Sequence, residues 1–246
     1  MPICIILITD FDRRLPGNEP VRQLIWLPFF MKEKYMRNRS IIYIDGFNLY
    51  YGAVKNTPWK WLDMEKYFSL LLPHDDIQII KYFTAKILGL HKLNQDVYIK
   101  ALSTLNKVRI IYGLFKYKKM KCLVKNCTYQ YSRSFYVPEE KRTDVNIAVH
   151  MIKDAVNDKC DRLIVVSGDS DLVPAVKAVK LIALNKKVIV YVPADNKVRG
   201  AAKELRDSSD RNKTLPNNLL SKAQFPDQLT DLKGGIIRKP SSWYIK

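Results

Sequence analysis

No stretch of this 246-residue chain combines the length and the apolar character needed to cross a bilayer, which takes about 18 uninterrupted residues. The two candidates, Ile3 to Ile8 and Leu24 to Phe30, stop far short. Asp10, Asp12, Arg13 and Arg14 follow the first directly, and no small-residue cleavage pattern is visible, so a secretory leader is not expected either. The chain reads as soluble and cytoplasmic, with no membrane partner. Cysteine is scarce: of Cys4, Cys122, Cys127 and Cys160, only Cys122 and Cys127 are closely spaced. Tetrahedral zinc needs two further ligands, and His74, His91 and His150 show no paired spacing. Reduced thiols are the natural reading. Acid is also in short supply, with 24 Asp and Glu against 42 Lys and Arg, a formal net charge of +18. Polyanions concentrate at so basic a surface, nucleic acid first and an anionic membrane face second.

What is present is an ordinary globular composition, 47% hydrophobic, which excludes wholesale disorder. The length suits one domain with extensions. Residues 1–40 carry prolines and clustered charge without a sustained period, so they read as a flexible extension or an over-long start. A strand-like run begins at Ile41-Ile42-Tyr43-Ile44-Asp45. Further short apolar runs cover Ile77 to Ala85, Val108 to Phe115, Leu163 to Val166 and Val188 to Val192. Helical patterns fall between and after them, over Asp63 to Leu72, Leu93 to Leu105, Asp144 to Val156, Leu172 to Leu184 and Val198 to Leu205. Short, nearly unbroken Val/Ile runs suit strands buried on both faces, and the alternation predicts an α/β fold with a mostly parallel sheet of about five strands. Lys116 to Tyr136 breaks the rhythm and predicts an inserted hairpin or loop. Beyond Arg206 the chain turns polar and proline-punctuated, as an arm over residues 207–246 would.

Ligands of open α/β sheets bind beyond the carboxyl ends of the strands. The first run ends in Asp45-Gly46-Phe47-Asn48 and the fourth in Ser167-Gly168-Asp169-Ser170-Asp171, while Thr143-Asp144 opens a helix pointing to the same edge. Taken singly, Asp144 could be a helix-start acid, Asp45-Gly46 an ordinary turn, and Ser170 an N-cap. Four carboxylates at one edge would repel one another unless a cation held them, and hard ions such as Mg²⁺ or Mn²⁺ prefer such ligands.

Tyr43-Ile44-Asp45-Gly46-Phe47-Asn48, Glu140-Lys141-Arg142-Thr143-Asp144-Val145-Asn146 and Val165-Val166-Ser167-Gly168-Asp169-Ser170-Asp171 resemble, in order, the three acidic motifs of NYN-domain proteins within the PIN-like nuclease group. The resemblance covers about 41–206, and the tail Ser221-Lys222-Ala223-Gln224-Phe225-Pro226-Asp227 is similar to a bacterial, LabA-like branch. It implies a PIN-like three-layer sandwich and hydrolysis of RNA phosphodiesters by a metal-activated water. The implied metal ligands and catalytic acids are Asp45, Asp144, Asp169 and Asp171, with Asn48 and Ser167 as polar, substrate-binding positions. The sequence departs from the pattern at His150, where many relatives carry another acid. His150 lies six residues after Asp144 and so about 120° away around a helix, which argues against a ligand role.

Between Tyr112 and Arg142, lysines and arginines interleave with aromatics. Lys118, Lys119, Lys121, Lys141 and Arg142 are the candidate phosphate contacts, and the rings offer stacking surfaces to unpaired bases. That mixture favours single-stranded or looped RNA over a duplex. The alternatives are a non-catalytic RNA-binding or regulatory scaffold of the same fold, a DNA substrate, and a phosphotransfer or phosphatase domain. A haloacid-type phosphatase would want Asp-x-Asp at the first strand, where this chain has Asp45-Gly46-Phe47.

Overall fold

The computed structural model describes residues 37–244 apart from 88, 90–91, 126, 128–133 and 194–201. The extension expected over 1–40 and the start of the helix expected at Val198 therefore lie largely outside the described residues. Six parallel strands form the central sheet: β1 (Asn38–Asp45), β2 (Asp75–Thr84), β3 (Val108–Tyr112), β6 (Arg162–Val166), β7 (Lys187–Val192) and β8 (Arg211–Thr214), in the order β3-β2-β1-β6-β7-β8. The order reverses at β1, which pairs with β2 on one side and β6 on the other. Switch points of this kind open a crevice at the carboxyl ends of the strands.

The sheet is covered on both faces because its side chains alternate with period two. Ile42, Ile44, Ile80, Tyr82, Ile164 and Val166 face one layer, with α2 (Met64–Leu71) and α3 (Lys92–Leu102). Ile41, Tyr43, Phe83, Leu163, Val165 and Val190 face the other, with α4 (Thr143–Val156), α5 (Val173–Ile182) and α6 (Lys203–Ser208). This is the expected three-layer α/β sandwich. The sixth strand, β8, is Arg-Asn-Lys-Thr on an edge, so it has no apolar run by which to be read.

The second layer also buries a salt bridge. Lys81, buried in the middle of β2, pairs with Asp154 on α4, and the Tyr43 hydroxyl donates to the same carboxylate at 2.7 Å. His150 completes the group, its Nδ1 3.2 Å from the Lys81 ammonium and its ring edge-on to Phe83. On the first layer the chain's last part is stitched to α2 and its approach. Trp61 donates its indole N–H to the Pro226 carbonyl at 2.8 Å, Tyr67 its hydroxyl to Pro216 at 3.0 Å, and Phe225 its backbone N–H to Trp61 at 2.9 Å.

The insert is an antiparallel ribbon, β4 (Leu114–Lys121) with β5 (Ser134–Lys141). Alternation along it puts Phe115, Tyr117, Lys119 and Lys121 on one face with Tyr136 and Glu140. Lys116, Lys118 and Lys141 share the other face with Glu139, which accepts a hydrogen bond from Lys141 at 2.7 Å.

Candidate metal centre

Asp45 ends β1 and caps the single turn α1 (Gly46–Leu49). One carboxylate oxygen accepts the backbone N–H groups of Phe47 at 3.1 Å and Asn48 at 2.9 Å; the other accepts the Asn48 amide at 2.6 Å and the Ser167 hydroxyl at 3.2 Å. The turn needs glycine at position 46 for space: a Cβ there would stand 2.7 Å from the Phe83 carbonyl and 2.8 Å from the Tyr82 ring. The third motif is tied to the first through Asn48, whose carbonyl accepts the Gly168 N–H at 3.1 Å. Ser167 in turn accepts the Asp169 N–H at 3.1 Å. Asn48 and Ser167 thus hold acids in place. Asp169 itself caps the 3₁₀ turn Ser170–Leu172, accepting from Asp171 N–H at 2.9 Å, so the capping residue is Asp169 and not Ser170.

Asp144 lies in the first turn of α4, just after Arg142, whose φ of 76° puts it in the left-handed region. That conformation reverses the chain from β5 into α4 and carries strain of a kind common beside functional sites. The Asp144 carboxylate makes no hydrogen bond among the described residues, so it is not spent on capping.

Oxygens of Asp45, Asp144 and Asp169 lie within 4.8 Å of one another. Asp171 is exposed and stands outside that trio, close enough for its charge to act on Asp144. Burial, and then the charges of Asp169, Asp45 and Asp171, push the Asp144 carboxyl up to about 6. Burial raises Asp45 as well, against the hydrogen bonds that favour its charged form. Carboxyls that converge and resist ionising together are a donor set suited to a hard divalent ion.

Glu140 is the acid that the motif reading passed over. It sits at the base of β5, accepts from the Thr143 hydroxyl, and is pushed up to about 7 by burial and then by Asp45 and Asp144. His150, at Lys81, is not among the clustered groups. Lys118, Lys119, Lys121, Lys141 and Arg142 are all exposed along the ribbon and its junction with α4, divided between the ribbon's two faces as described.

Among known proteins, the family profile described as NYN domain matches residues 39–215. The chain is 30% identical over 241 aligned positions to 6-hydroxy-3-succinoylpyridine 3-monooxygenase HspA of Pseudomonas putida (strain DSM 28022 / S16), covering 84% of this chain and 75% of that protein. It is similar in shape to the crystal structure of a protein of unknown function from Vibrio parahaemolyticus RIMD 2210633, with 19% identity and a TM-score of 0.47, over 74% of this chain and 95% of the other.

Proposed function

Since the chain belongs to the NYN domain family, a nuclease-type family, we propose that it is a cytoplasmic, metal-dependent ribonuclease acting on single-stranded or looped RNA. The observation that carries this reading is the convergence of Asp45, Asp144 and Asp169 within 4.8 Å at the switch point of a basic protein. A Mg²⁺ or Mn²⁺ ion held there would neutralise charge on the phosphate and supply a bound water of lowered pKa. The protein's part is placement. Asn48 and Ser167 fix Asp45; the capping bond to Asp171 N–H fixes Asp169; the left-handed Arg142 aims Asp144. Asp171, farther out, adds negative charge beside Asp144. Glu140 is placed to hold a proton near neutral pH at the rim. Arg142 and the ribbon lysines on the Phe115 face, Lys119 and Lys121, meet the phosphate backbone.

The test is cleavage of labelled single-stranded RNA with Mn²⁺ and with chelator, by wild type and by Asp169→Asn. Asparagine can still accept the Asp171 N–H, so the turn survives. Cleavage should fall at least about a hundredfold, while metal-free stability stays level or rises as repulsion is relieved. Full cleavage by Asp169→Asn would sink the acidic-trio mechanism, and no Mn²⁺-dependent cleavage by the wild type would leave the non-catalytic scaffold reading in its place.

A second reading has one observation in its favour. The relative's name describes oxygenation of a substituted pyridine, and an aromatic cavity of about 330 Å³ begins at Gly46, next to Asp45. Oxygen consumption on a hydroxypyridine with an added two-electron donor, assayed beside RNA cleavage, separates the two activities.

A further inference from the structure

The residues following Asp45 do more than turn the chain. Phe47, Tyr51, Lys55 and Lys60 on this segment, with Tyr82 from β2 and Trp243 from the chain's last part, line the cavity of about 330 Å³. That volume is near the lower end of the ~300–1,000 Å³ common for small-ligand sites, which suits one ring system with a short substituent. Aromatic rings are prominent among its lining residues, and such rings are what heteroaromatic ligands stack on. Neither Lys55 nor Lys60 has a carboxylate partner among the described residues, and the Lys55 ammonium stands 4.8 Å above the Tyr51 ring centre. Two cations without counter-charges at the mouth of an aromatic cavity call for a ligand with a negative substituent. Tyr82 also lines the cavity and brings a hydroxyl to its wall.

Position decides which heteroaromatic anion fits. The cavity shares Gly46 with the turn that Asp45 caps. Phe47 meets Phe115 edge-on, with ring centres 5.5 Å apart, and so joins the cavity to the aromatic face of the ribbon that also carries Glu140. A strand lying along that face would pass the acidic trio on its way to the cavity. We propose that the cavity receives a single base of the RNA strand, stacked among Phe47, Tyr51 and Trp243, with its flanking phosphate on Lys55 and Lys60, so that the neighbouring phosphodiester is presented to Asp45, Asp144 and Asp169. This assignment rests on the ribonuclease reading.

The decisive experiment is calorimetric titration of the full chain, in chelator, with adenosine 5′-monophosphate and with ribose 5-phosphate, which lacks the base. The nucleotide should bind at least tenfold more tightly than the sugar phosphate. Tyr51→Ala should lower nucleotide affinity about tenfold and leave the sugar phosphate unmoved. Lys60→Ala should weaken both. Equal affinities for the two ligands in wild type, a comparison that needs no variant, would overturn the proposal, as would variants that melt normally yet bind the nucleotide unchanged. Tighter binding of pyridine-3-carboxylate than of the nucleotide would overturn it in favour of a small aromatic acid. Mn²⁺-dependent RNA cleavage, measured alongside, separates the two layers. Cleavage without nucleotide binding sinks the cavity assignment alone; nucleotide binding without cleavage removes the ribonuclease reading beneath it.

Discussion

Asn48 holds Asp45 through its amide at 2.6 Å and, with the carbonyl of the same side chain, receives the backbone N–H of Gly168 at 3.1 Å. One side chain therefore locks the first acidic motif to the third. Asn48→Ala should cost about 1–3 kcal/mol, because it leaves a buried carboxylate short of a donor and the Gly168 N–H without its acceptor. It should also weaken Mn²⁺ binding roughly 10–100-fold, the usual effect of removing a group that orients a ligand. Chemical denaturation in chelator and a Mn²⁺ titration check the two figures.

The acidic trio predicts a particular pH dependence. With Asp144 raised to about 6, the folded chain keeps a proton that the unfolded chain has released between roughly pH 4 and pH 6. Metal-free stability contributed by this group therefore falls as pH rises through that window. His150 acts in the opposite sense, since burial and then the Lys81 charge lower its pKa. The difference between wild type and Asp144→Asn cancels the histidine. Relative to wild type, the variant should gain roughly 1 kcal/mol between pH 4 and pH 7, a figure reduced for the half-exposed site. Parallel melting curves in chelator would show it, and a constant difference would remove the repulsion argument.

Beneath the sheet, Lys81 and Asp154 form a well-buried pair. Asp154→Ala would strand the lysine and leave the Tyr43 hydroxyl without its acceptor, at about 3–5 kcal/mol. For a domain of this size that is a fall of roughly 6–20 °C in Tm. Replacing both partners, Lys81→Met with Asp154→Leu, should recover most of the loss, as calorimetry would show.

The ribbon offers a comparison of its two faces. Lys119 and Lys121 share the face of Phe115 and Glu140, whereas Lys116 and Lys118 lie on the other with Glu139. Lys119→Ala with Lys121→Ala should flatten the salt dependence of RNA binding by about 1.4, at roughly 0.7 per phosphate contact on single strands. Lys116→Ala with Lys118→Ala should change it little. Equal effects would mean that the strand does not follow one face.

Much of this was legible in the residues themselves. Short, nearly unbroken apolar runs and the helices between them marked the sandwich, and Asp45, Asp144 and Asp169 stood where strand and helix ends meet one edge. Asp171 carried the same motif signal and lies exposed outside the trio, its N–H held by Asp169 and its charge still acting on Asp144. Glu140 was hidden by geometry: only the left-handed Arg142 folds the base of β5 back over α4. The cavity could not be read at all, since Tyr51, Tyr82 and Trp243 come together from distant parts of the chain. The Lys81–Asp154 pair was not legible either, since its two members lie 73 residues apart.

The seam joining Trp61 to Pro226 and Tyr67 to Pro216 spans 165 and 149 residues of sequence. At the roughly 5–20 residues per second of protein synthesis, Trp61 waits on the order of 10–30 seconds after leaving the ribosome before its cover is made. Throughout that interval Trp61, Tyr67 and Phe68, all fully buried in the finished fold, face solvent. The layer that walls the aromatic cavity is thus the last to close. A nascent chain stalled before Pro216 presents that unfinished face to chaperones and to its neighbours.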